Sequence, residues 1–464
     1  MDLRERVESY RDQIIKSVQE LISIPSVKSQ PQPGRPFGEG VGKALEYALD
    51  LASKLGFRVK NLDGYAGYAE FGEGDETVAI LAHLDVVPPG DGWTYPPYSA
   101  EIHDGKIYGR GAIDDKGPAI AALYAMKAVM DSGIPLSKKV RLIFGTDEES
   151  GWEDMDYYFK HEPMPDLGLT PDANYPVIHA EKGIVHLSLV KEFSEEDQVV
   201  SGIKRIEGGS RPNMVPDLCR CVFDANCGEK PLIHMKSFQE YSGYQFKTDL
   251  SREGEIAVEA VGVSAHASTP DKGKNAAAQM LAYLATLGLG NSELEKFVLT
   301  LNDKIGSDTT GRNLGIDFKD DVSGSLTLNL GILEIDRSRG RAVIDIRYPV
   351  KYTQAQVIEG IKKALEGTGI EIEVGHSQDP LYVPKDHFLV QTLMEVYEEE
   401  TGQKLEPLAI GGGTYARALK VGVAFGAVFP GNPELAHQKD EYIDIEDLML
   451  NAKIYAKAIA RLAK

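Results

Sequence analysis

The chain has 464 residues, and its 50 Lys+Arg against 71 Asp+Glu give a formal net charge of −21. With 42% hydrophobic and 26% charged residues, its composition is typical of a folded globular protein and excludes an intrinsically disordered one. The acidic excess argues against nucleic acid or an anionic membrane as a partner, because both attract clustered Lys and Arg.

Three further features indicate where the protein works. Its apolar runs are much shorter than the roughly 20 residues that span a bilayer. Residues 1–20 carry charges throughout and contain no apolar stretch typical of a secretory signal. The three cysteines are few enough to suit a reducing compartment. We therefore expect a cytoplasmic protein with no membrane partner.

The N-terminal third alternates helices with short apolar strands. Apolar residues recur every three or four positions over residues 7–22, which predicts an amphipathic helix. A second helix is expected over about 40–55. The apolar runs Val78–Ala82 and Val140–Phe144 then flank a helix that opens at Pro118. This alternation predicts a mostly parallel sheet flanked by helices.

The pattern changes over roughly residues 184–383. Strands outnumber helices there and one strand face is polar, which favours an antiparallel α+β unit. Beyond this segment helical periodicity resumes, followed by an apolar strand over Val421–Phe429 and a final helix. We therefore predict an α/β domain of residues 1–183 and 384–464, interrupted by a large inserted α+β domain of residues 184–383.

Acidic and imidazole side chains follow the buried strands at their carboxyl ends. In chain order these residues are His83, Asp85, Asp147, Glu148, Glu149, Asp172 and His437. Asp114 and Asp115 add two acids just before the predicted helix at Pro118. Because ligands bind at the carboxyl ends of parallel strands, we expect these side chains to meet at one edge of the sheet.

Each of these residues has an ordinary explanation on its own, such as a solvated loop acid or a helix cap. Together, however, so many carboxylates would raise one another's pKa values unless a cation lies among them. The histidines favour Zn²⁺, Mn²⁺ or Co²⁺ over Ca²⁺ or Mg²⁺, which prefer oxygen ligands. The donors also exceed the three that one catalytic ion usually takes, which favours two ions.

The spacing within two motifs suggests separate roles. His83 and Asp85 are two residues apart and point the same way in extended backbone, so the Asp85 carboxylate is expected to accept a hydrogen bond from the free imidazole N–H. Glu148 and Glu149 are adjacent and would point to opposite sides in extended backbone. One of them can therefore bind a metal while the other forms a hydrogen bond with a metal-bound water molecule.

Several ordered motifs together resemble the carboxypeptidase–aminoacylase–carnosinase superfamily of two-zinc peptidases, and within it the bacterial dipeptidases with a large lid. In the outer segments the motifs are HLDVVP (83–88), YGRGAIDDKGP (108–118), TDEESG (146–151) and AHQKDE (436–441). The motifs that resemble the lid and the substrate loop are SRPNMVP (210–216), SAHAS (264–268), DIRYP (345–349) and GGGTYAR (411–417). The resemblance implies a zinc-peptidase-like domain with an inserted lid.

The resemblance also implies the metal ligands, which are His83, Asp114, Glu149, Asp172 and His437. His83 and Asp172 would complete one site, and Glu149 and His437 the other. Asp114 would bridge both ions, since relatives have a non-acidic residue at the position of Asp115. The Asp114–Asp115 peptide bond is expected to be cis.

The remaining implied roles concern catalysis and substrate binding. Glu148 would be the general base, and His266 would donate a hydrogen bond to the oxyanion of the tetrahedral intermediate. Arg347 would bind the terminal carboxylate of the substrate with its planar fork of donors. The implied substrate-binding residues are Arg347, Asn213, Gly412, Gly413 and Thr414.

The implied function is hydrolysis of dipeptides by water activated between two divalent ions. Zn²⁺ is the expected metal, with Mn²⁺ or Co²⁺ as alternatives, and a monomer is expected because the large lid stands in for a second subunit. A deacylase of N-acyl amino acids, including succinyl-diaminopimelate, remains an alternative that only Asp172 and the lid size disfavour. A catalytically inactive binding protein is the third possibility, and it would lack a ligand or the base.

Overall fold

The computed structural model describes residues 2–194, 202–224, 227–249, 255–288 and 291–464. This part of the chain divides into two compact units. The first contains the residues through Ala180 together with Leu381–Ala409 and Gly413–Lys464, so it is discontinuous in sequence. The second contains Glu181–Pro380 and Ile410–Gly412.

The helices and strands alternate in the first unit, whereas strands dominate the second. Up to the end of the first segment the elements are α1 (Leu3–Glu8), α2 (Arg11–Ile22), α3 (Glu39–Lys54), β1 (Arg58–Leu62), β2 (Ala66–Phe71), β3 (Thr77–His83), β4 (Ile102–His103), β5 (Lys106–Tyr108), α4 (Lys116–Asp131), β6 (Lys139–Gly145), α5 (Glu153–His161), β7 (Leu167–Thr170), β8 (Ala173–Asn174) and β9 (Ile178–Glu181). The next are β10 (Gly183–Glu192), β11 (Ile203–Gly208), β12 (Leu218–Asp224), α6 (Lys230–Ser242), β13 (Gln245–Asp249), β14 (Glu255–Val261), α7 (Ala276–Thr286), α8 (Glu293–Lys304), β15 (Lys319–Asp320), β16 (Gly324–Ser325), β17 (Thr327–Ile335), β18 (Arg339–Tyr348), α9 (Gln354–Ala364) and β19 (Glu371–Gln378). The last are β20 (Leu381–Tyr382), α10 (Phe388–Thr401), β21 (Leu408–Ile410), β22 (Gly422–Ala424), β23 (Ala427–Val428), β24 (Tyr442–Asp444) and α11 (Ile445–Leu462).

The central sheet of the first unit has nine strands within the described ranges, in the order β1-β2-β6-β3-β7-β22-β9-β20, with β21 paired to β9. The pairs β6–β3, β3–β7 and β7–β22 are parallel, whereas β1–β2, β2–β6 and β22–β9 are antiparallel. Every residue of β3 is buried, as expected for a strand covered on both faces. The predicted α/β sheet is therefore confirmed, with its four central strands, β6, β3, β7 and β22, parallel and antiparallel pairs toward its edges.

Helix α4 shows why the sheet is covered so completely. Of its 16 residues 13 are buried, and most of these are apolar, which is the pattern of a helix enclosed within a core. Pro118 lies in its first turn, where a missing backbone N–H costs no helical hydrogen bond. In the described residues, no helix is both long enough and apolar enough to cross a bilayer.

Two predicted elements differ from the structure. The N-terminal periodic segment forms two helices, because α1 ends at Glu8. Ser9 caps it, and its hydroxyl donates to the carbonyl of Arg6 at 2.6 Å. The prediction of a single strand over Val421–Phe429 is also wrong, since this segment forms two separate strands, β22 and β23. Gly426 between them has a φ of +79°, and a Cβ there would lie 2.4 Å from the ring of Tyr175, so only glycine fits this break.

The second unit is built on one antiparallel sheet. Its eight strands in the described ranges run in the order β13-β14-β12-β11-β17-β18-β10-β19, and the neighbouring pairs are antiparallel. Apolar side chains of α7 and α8 share a core with these strands, whereas β19 at one edge is largely exposed. The insertion therefore has the predicted antiparallel α+β architecture. The boundaries expected at 184 and 383 differ by a few residues from those of the second compact unit, Glu181–Pro380.

Candidate metal centre and its surroundings

The loops at the carboxyl ends of three parallel strands carry the predicted polar residues. His83 is the last residue of β3 and is completely buried. Glu148 and Glu149 follow β6, and Asp172 follows β7. Asp114 lies two residues before α4. The strand order places β3 between β6 and β7, so these loops emerge side by side at one edge of the sheet.

Asp114 lies between two histidines. Its Oδ1 is 3.0 Å from Nε2 of His83, and its Oδ2 is 3.2 Å from Nε2 of His437. His83 Nε2 also lies 3.6 Å from Oδ2 of Asp172, and His437 Nε2 lies 2.9 Å from Oε1 of Glu149. Nε2 of each histidine thus faces two carboxylates, and Asp114 belongs to both groups.

This donor set fits divalent cations. The donors form two overlapping groups, whose atoms lie within 4.8 Å of one another: His83 with Asp114 and Glu149, and His83 with Glu148 and Asp172. Burial and neighbouring carboxylates raise the pKa values of Glu148, Glu149 and Asp172. Cations among these groups would offset the free-energy cost of burying several negative charges together. Mixed imidazole and carboxylate donors are also the ligands that catalytic zinc takes.

Asp114 and the two histidines shift one another's pKa values. Hydrogen bonds to Asp114 and Glu149 raise the pKa of His437 to about 11. Burial tends to raise the pKa of Asp114, but its hydrogen bonds with His437 and His83 outweigh burial and lower it. The carboxylates therefore give the site a strong negative potential, and two divalent ions can replace the protons that the histidines would otherwise hold.

Asp115 has surroundings different from those of Asp114. Its Oδ2 accepts from the backbone N–H of His83 at 3.2 Å, and its Oδ1 has no hydrogen-bond partner in the described part of the chain. Burial raises the pKa of this carboxyl group. The Asp114–Asp115 peptide bond is cis, as the resemblance implies. Only Asp114 of the two acids contacts both histidines.

Asp85 makes contacts other than the predicted one. The sequence predicts that its carboxylate accepts from the His83 imidazole, but Nδ1 of His83 lies 3.0 Å from the backbone carbonyl of Asp85 and 3.5 Å from its Oδ1. The carboxylate instead accepts from the backbone N–H groups of Glu148 and Glu149, at 3.2 and 3.1 Å. The expectation is corrected accordingly: the carbonyl orients the imidazole, and the carboxylate holds the loop after β6, where two N–H donors converge on it.

A buried contact of Asp154 with the loop after β6 was not predicted from the sequence. The carboxylate of Asp154 accepts from the backbone N–H groups of Thr146 and Asp147 at 2.7 and 3.0 Å, and from the hydroxyl of Tyr415. The ring of Tyr415 meets the imidazole of His83 edge-on, with centroids 6.1 Å apart. The position of Tyr415 inside the GGGTYAR motif was the available signal, but nothing in the sequence indicated its partner.

In the second unit, Arg347 is engaged by a neighbouring acid. Its Nε and Nη2 donate to the two carboxylate oxygens of Asp345 at 2.6 and 2.7 Å, and its Nη1 donates to the carbonyl of Gly411 at 3.2 Å. Asp345 also lies 2.9 Å from Nε2 of His186. The Nε–Nη2 edge of the guanidinium is thus occupied, and a further carboxylate would meet the Nη1–Nη2 end.

The structure brings two predicted substrate motifs of the second unit together. The backbone N–H of Ala267 donates to the carbonyl of Asn213 at 3.0 Å, next to a bridge between Met214 and His266. The backbone N–H of Ser268 donates to Nδ1 of His266 at 3.2 Å. Because Nδ1 accepts this bond, the imidazole proton lies on Nε2, which is the donor that an oxyanion needs.

The predicted glycine loop lies at the junction of two chain segments. Gly412 ends the short segment assigned to the second unit, whereas Gly413 and Thr414 belong to the first. Thr414 is buried, and its hydroxyl oxygen accepts from the backbone N–H of Ala416 at 3.2 Å. This bond caps the helical turn Tyr415–Ala418, which carries the Tyr415 ring.

Comparison with known proteins gives consistent matches over almost the whole chain. A model of the peptidase family M20/M25/M40 matches residues 79–461. The chain is 45% identical over 460 residues to "Putative dipeptidase YtjP" of Bacillus subtilis, with 98% of each protein covered. It is 38% identical over 465 residues to "Putative dipeptidase SH1171" of Staphylococcus haemolyticus, with 99% of each covered.

Solved structures share the fold at low sequence identity. The di-peptidase Dug1p from Saccharomyces cerevisiae matches with a TM-score of 0.59 and 16% identity, covering 99% of this chain and 98% of that one. The YXEP protein of Bacillus subtilis, described as a dinuclear metal binding peptidase, matches with a TM-score of 0.51 and 10% identity over 98% and 99% of the two chains. At these identities the likeness concerns the fold.

Proposed function

The chain belongs to the peptidase family M20/M25/M40, and from this premise we propose that it is a metal-dependent dipeptidase. The observation that carries the proposal is the placement of Asp114, with one carboxylate oxygen toward His83 and the other toward His437. Glu148, a partly buried acid of the same site, supplies a candidate base. The relatives at 45% and 38% identity, whose names are "Putative dipeptidase YtjP" and "Putative dipeptidase SH1171", support the choice of substrate.

The donors divide naturally between two divalent ions. His83, Asp114 and Asp172 would hold one ion, and Asp114, Glu149 and His437 the other. Zn²⁺ suits these nitrogen and oxygen donors best, and Mn²⁺ or Co²⁺ can share them. When bound, such ions polarise the scissile carbonyl group and lower the pKa of water to roughly 7.

Glu148 is the proposed general base. Burial raises the pKa of its carboxyl group, as is common for groups that exchange protons during catalysis. Its carboxylate takes a proton from the attacking water and returns it to the nitrogen of the leaving amine. The bonds from the Glu148 and Glu149 backbone N–H groups to Asp85 keep the base and the neighbouring ligand in fixed directions.

We assign substrate recognition to the residues that the motifs indicated. Arg347 would bind the substrate's terminal carboxylate, and the Nε2 proton of His266 would stabilise the oxyanion. Asn213 and the backbone N–H groups of the glycine loop would complete the contacts. The residues of that loop are Gly412, Gly413 and Thr414.

Replacing Arg347 with Lys tests the carboxylate contact. We expect KM for dipeptides to rise by roughly 10- to 100-fold, the cost of losing a charged hydrogen bond, because Lys keeps the charge but not the fork. Arg341→Lys is the matched control, since Arg341 lies in the same strand and pairs with the exposed Glu334. A dipeptide and its C-terminal amide are compared in all three proteins. If Arg347→Lys discriminates between them as strongly as the wild type does, the assignment is wrong.

A substrate panel separates the dipeptidase from its alternatives. We expect kcat/KM for at least one dipeptide to exceed that for every N-acetyl and N-succinyl amino acid tested in parallel. The reverse order would favour the deacylase. An inactive binding protein is disfavoured because this chain keeps the whole proposed set, namely His83, Asp114, Glu148, Glu149, Asp172 and His437.

We further propose that the native metal is Zn²⁺ and that the protein is a cytoplasmic monomer. The mixed imidazole and carboxylate donors support zinc. The large second unit, which resembles a lid that replaces a partner subunit, supports the monomer. The three cysteines are free thiols, in keeping with a reducing compartment.

A further inference from the structure

Glu441 contacts the backbone of the proposed bridging ligand. It lies four residues after His437, and it is completely buried. Its Oε1 accepts from the backbone N–H groups of Ile113 and Asp114 at 3.0 and 3.2 Å, and its Oε2 accepts from Nη1 of Arg110 at 2.6 Å. Because both oxygens are occupied by N–H donors, Glu441 is not placed to be a metal ligand itself.

Arg110 extends this contact to the segment that carries His437. Its Nη1 also donates to the carbonyl of Gln438 at 3.1 Å, and its Nη2 donates to the carbonyl of Pro89 at 3.4 Å. The guanidinium lies over the ring of Trp93, 5.3 Å from the centroid. The side chain is 2% exposed. One buried ion pair therefore touches the backbone beside both residues proposed to share an ion.

The backbone of Glu441 is itself fixed. Its carbonyl accepts from the N–H of Gly109 at 2.9 Å, and the strand that follows, β24, pairs with β5. The segments that contain the two proposed ligands are thus joined by a small sheet and by the ion pair beside it. A carboxylate held in this way can set the orientation of the peptide groups that donate to it.

Stability alone does not explain such a pair. Desolvation of two buried charges roughly cancels their attraction, so apolar residues of similar size often stabilise a protein equally well. The charge-assisted bonds from Ile113 and Asp114, in contrast, act directly on the position of the ligand. A small rotation of the Asp114 peptide would turn one carboxylate oxygen away from its histidine.

We propose that Glu441, together with Arg110, is a positioning residue for the two-metal site. It fixes the backbone of Asp114 so that one carboxylate oxygen faces His83 and the other faces His437. This inference rests on the proposed function, in which those residues hold the ions. It adds a residue that acts on metal binding without touching the metal.

Glu441→Ala tests this role through metal affinity. Chelator-treated full-length protein is titrated with Co²⁺, by calorimetry and by the visible absorption of the bound ion. We expect the variant to bind at least one of the two ions about 10- to 100-fold more weakly than the wild type, as when a partner of a metal ligand is lost. A changed Co²⁺ spectrum is expected as well, because the ligand geometry changes.

Glu70→Ala is the matched control. Glu70 is also buried and accepts from Nε of Arg141 at 2.8 Å, in a pair near the start of β6. Its loss should lower the melting temperature and leave Co²⁺ affinity and spectrum unchanged. If Glu441→Ala behaves like this control and binds two Co²⁺ ions as the wild type does, the inference is overturned.

A second variant, Glu441→Gln, keeps the inference testable if Glu441→Ala does not fold. Glu441→Gln keeps the size of the side chain but has one oxygen, so it cannot accept from Arg110 and from the two backbone N–H groups together. We expect about 10-fold weaker Co²⁺ binding, and unchanged binding overturns the inference. If the wild type itself does not take up two ions, the proposed function fails and this inference with it; unchanged variants beside a two-ion wild type overturn the inference alone.

Discussion

Glu148→Gln is expected to lower kcat for a dipeptide by about 10²- to 10⁴-fold, which is the usual contribution of a general base. The amide has nearly the shape of the carboxylate but cannot accept a proton from water. Because Glu148 is proposed as base and not as ligand, the variant should still bind two metal ions, and KM should change little. Turnover, KM and metal content are measured on the same preparation.

Glu153→Gln provides the control for this substitution. Glu153 lies five residues further along the chain, at the exposed start of α5, and its loss should leave turnover at the wild-type value. A Glu148→Gln enzyme with near wild-type kcat would show that another group accepts the proton. A variant that loses its metal along with its activity would instead assign Glu148 to the ligands.

Asp114→Asn should have the second large effect, which is loss of metal from both positions. In the described residues, Asp114 is the carboxylate whose two oxygens face His83 and His437, so a neutral amide removes an anionic ligand from each ion at once. We expect metal affinity to fall by more than the 10- to 100-fold that is typical when a group that only hydrogen-bonds to a metal ligand is removed. Hydrolysis should then be undetectable at metal concentrations that saturate the wild type.

Asp115→Asn separates the two adjacent acids. In the described part of the chain, Asp115 accepts a hydrogen bond from the backbone N–H of His83 and from neither histidine ring, and an amide oxygen can accept the same bond. This variant should therefore keep two ions and much of its activity. The opposite result, with Asp115→Asn losing metal and Asp114→Asn keeping it, would exchange the roles of the two residues.

The residues of the site were predictable where they depend on strand order. Apolar runs that end in His83, Glu148 or Asp172 predict buried strands, and parallel strands deliver their carboxyl ends to a common edge. The structure brings these residues together with Asp114 and His437, as the sequence led us to expect. Their roles as ligands and base remain proposals until the variants are measured.

Contacts between distant segments were not predictable from the same patterns. The partner of the Tyr415 hydroxyl is Asp154, and Glu441 reaches Arg110 across more than 300 positions. Neither pair has a helical or strand period that would indicate it, since each depends on how loops pack. The Asp85 carboxylate lies 3.5 Å from Nδ1 of His83, farther than the Asp85 carbonyl at 3.0 Å, for a related reason: the turn after β6 offers the carboxylate two backbone N–H donors.

Stepwise metal loading tests the central proposal most directly. Chelator-treated protein is titrated with Zn²⁺ while the hydrolysis of a dipeptide is followed, and bound metal is measured at each step. We predict no hydrolysis in the metal-free protein and a rise in activity that is complete at two ions per chain. Full hydrolysis without metal, or no hydrolysis of any dipeptide by protein that holds two ions, would contradict the proposal.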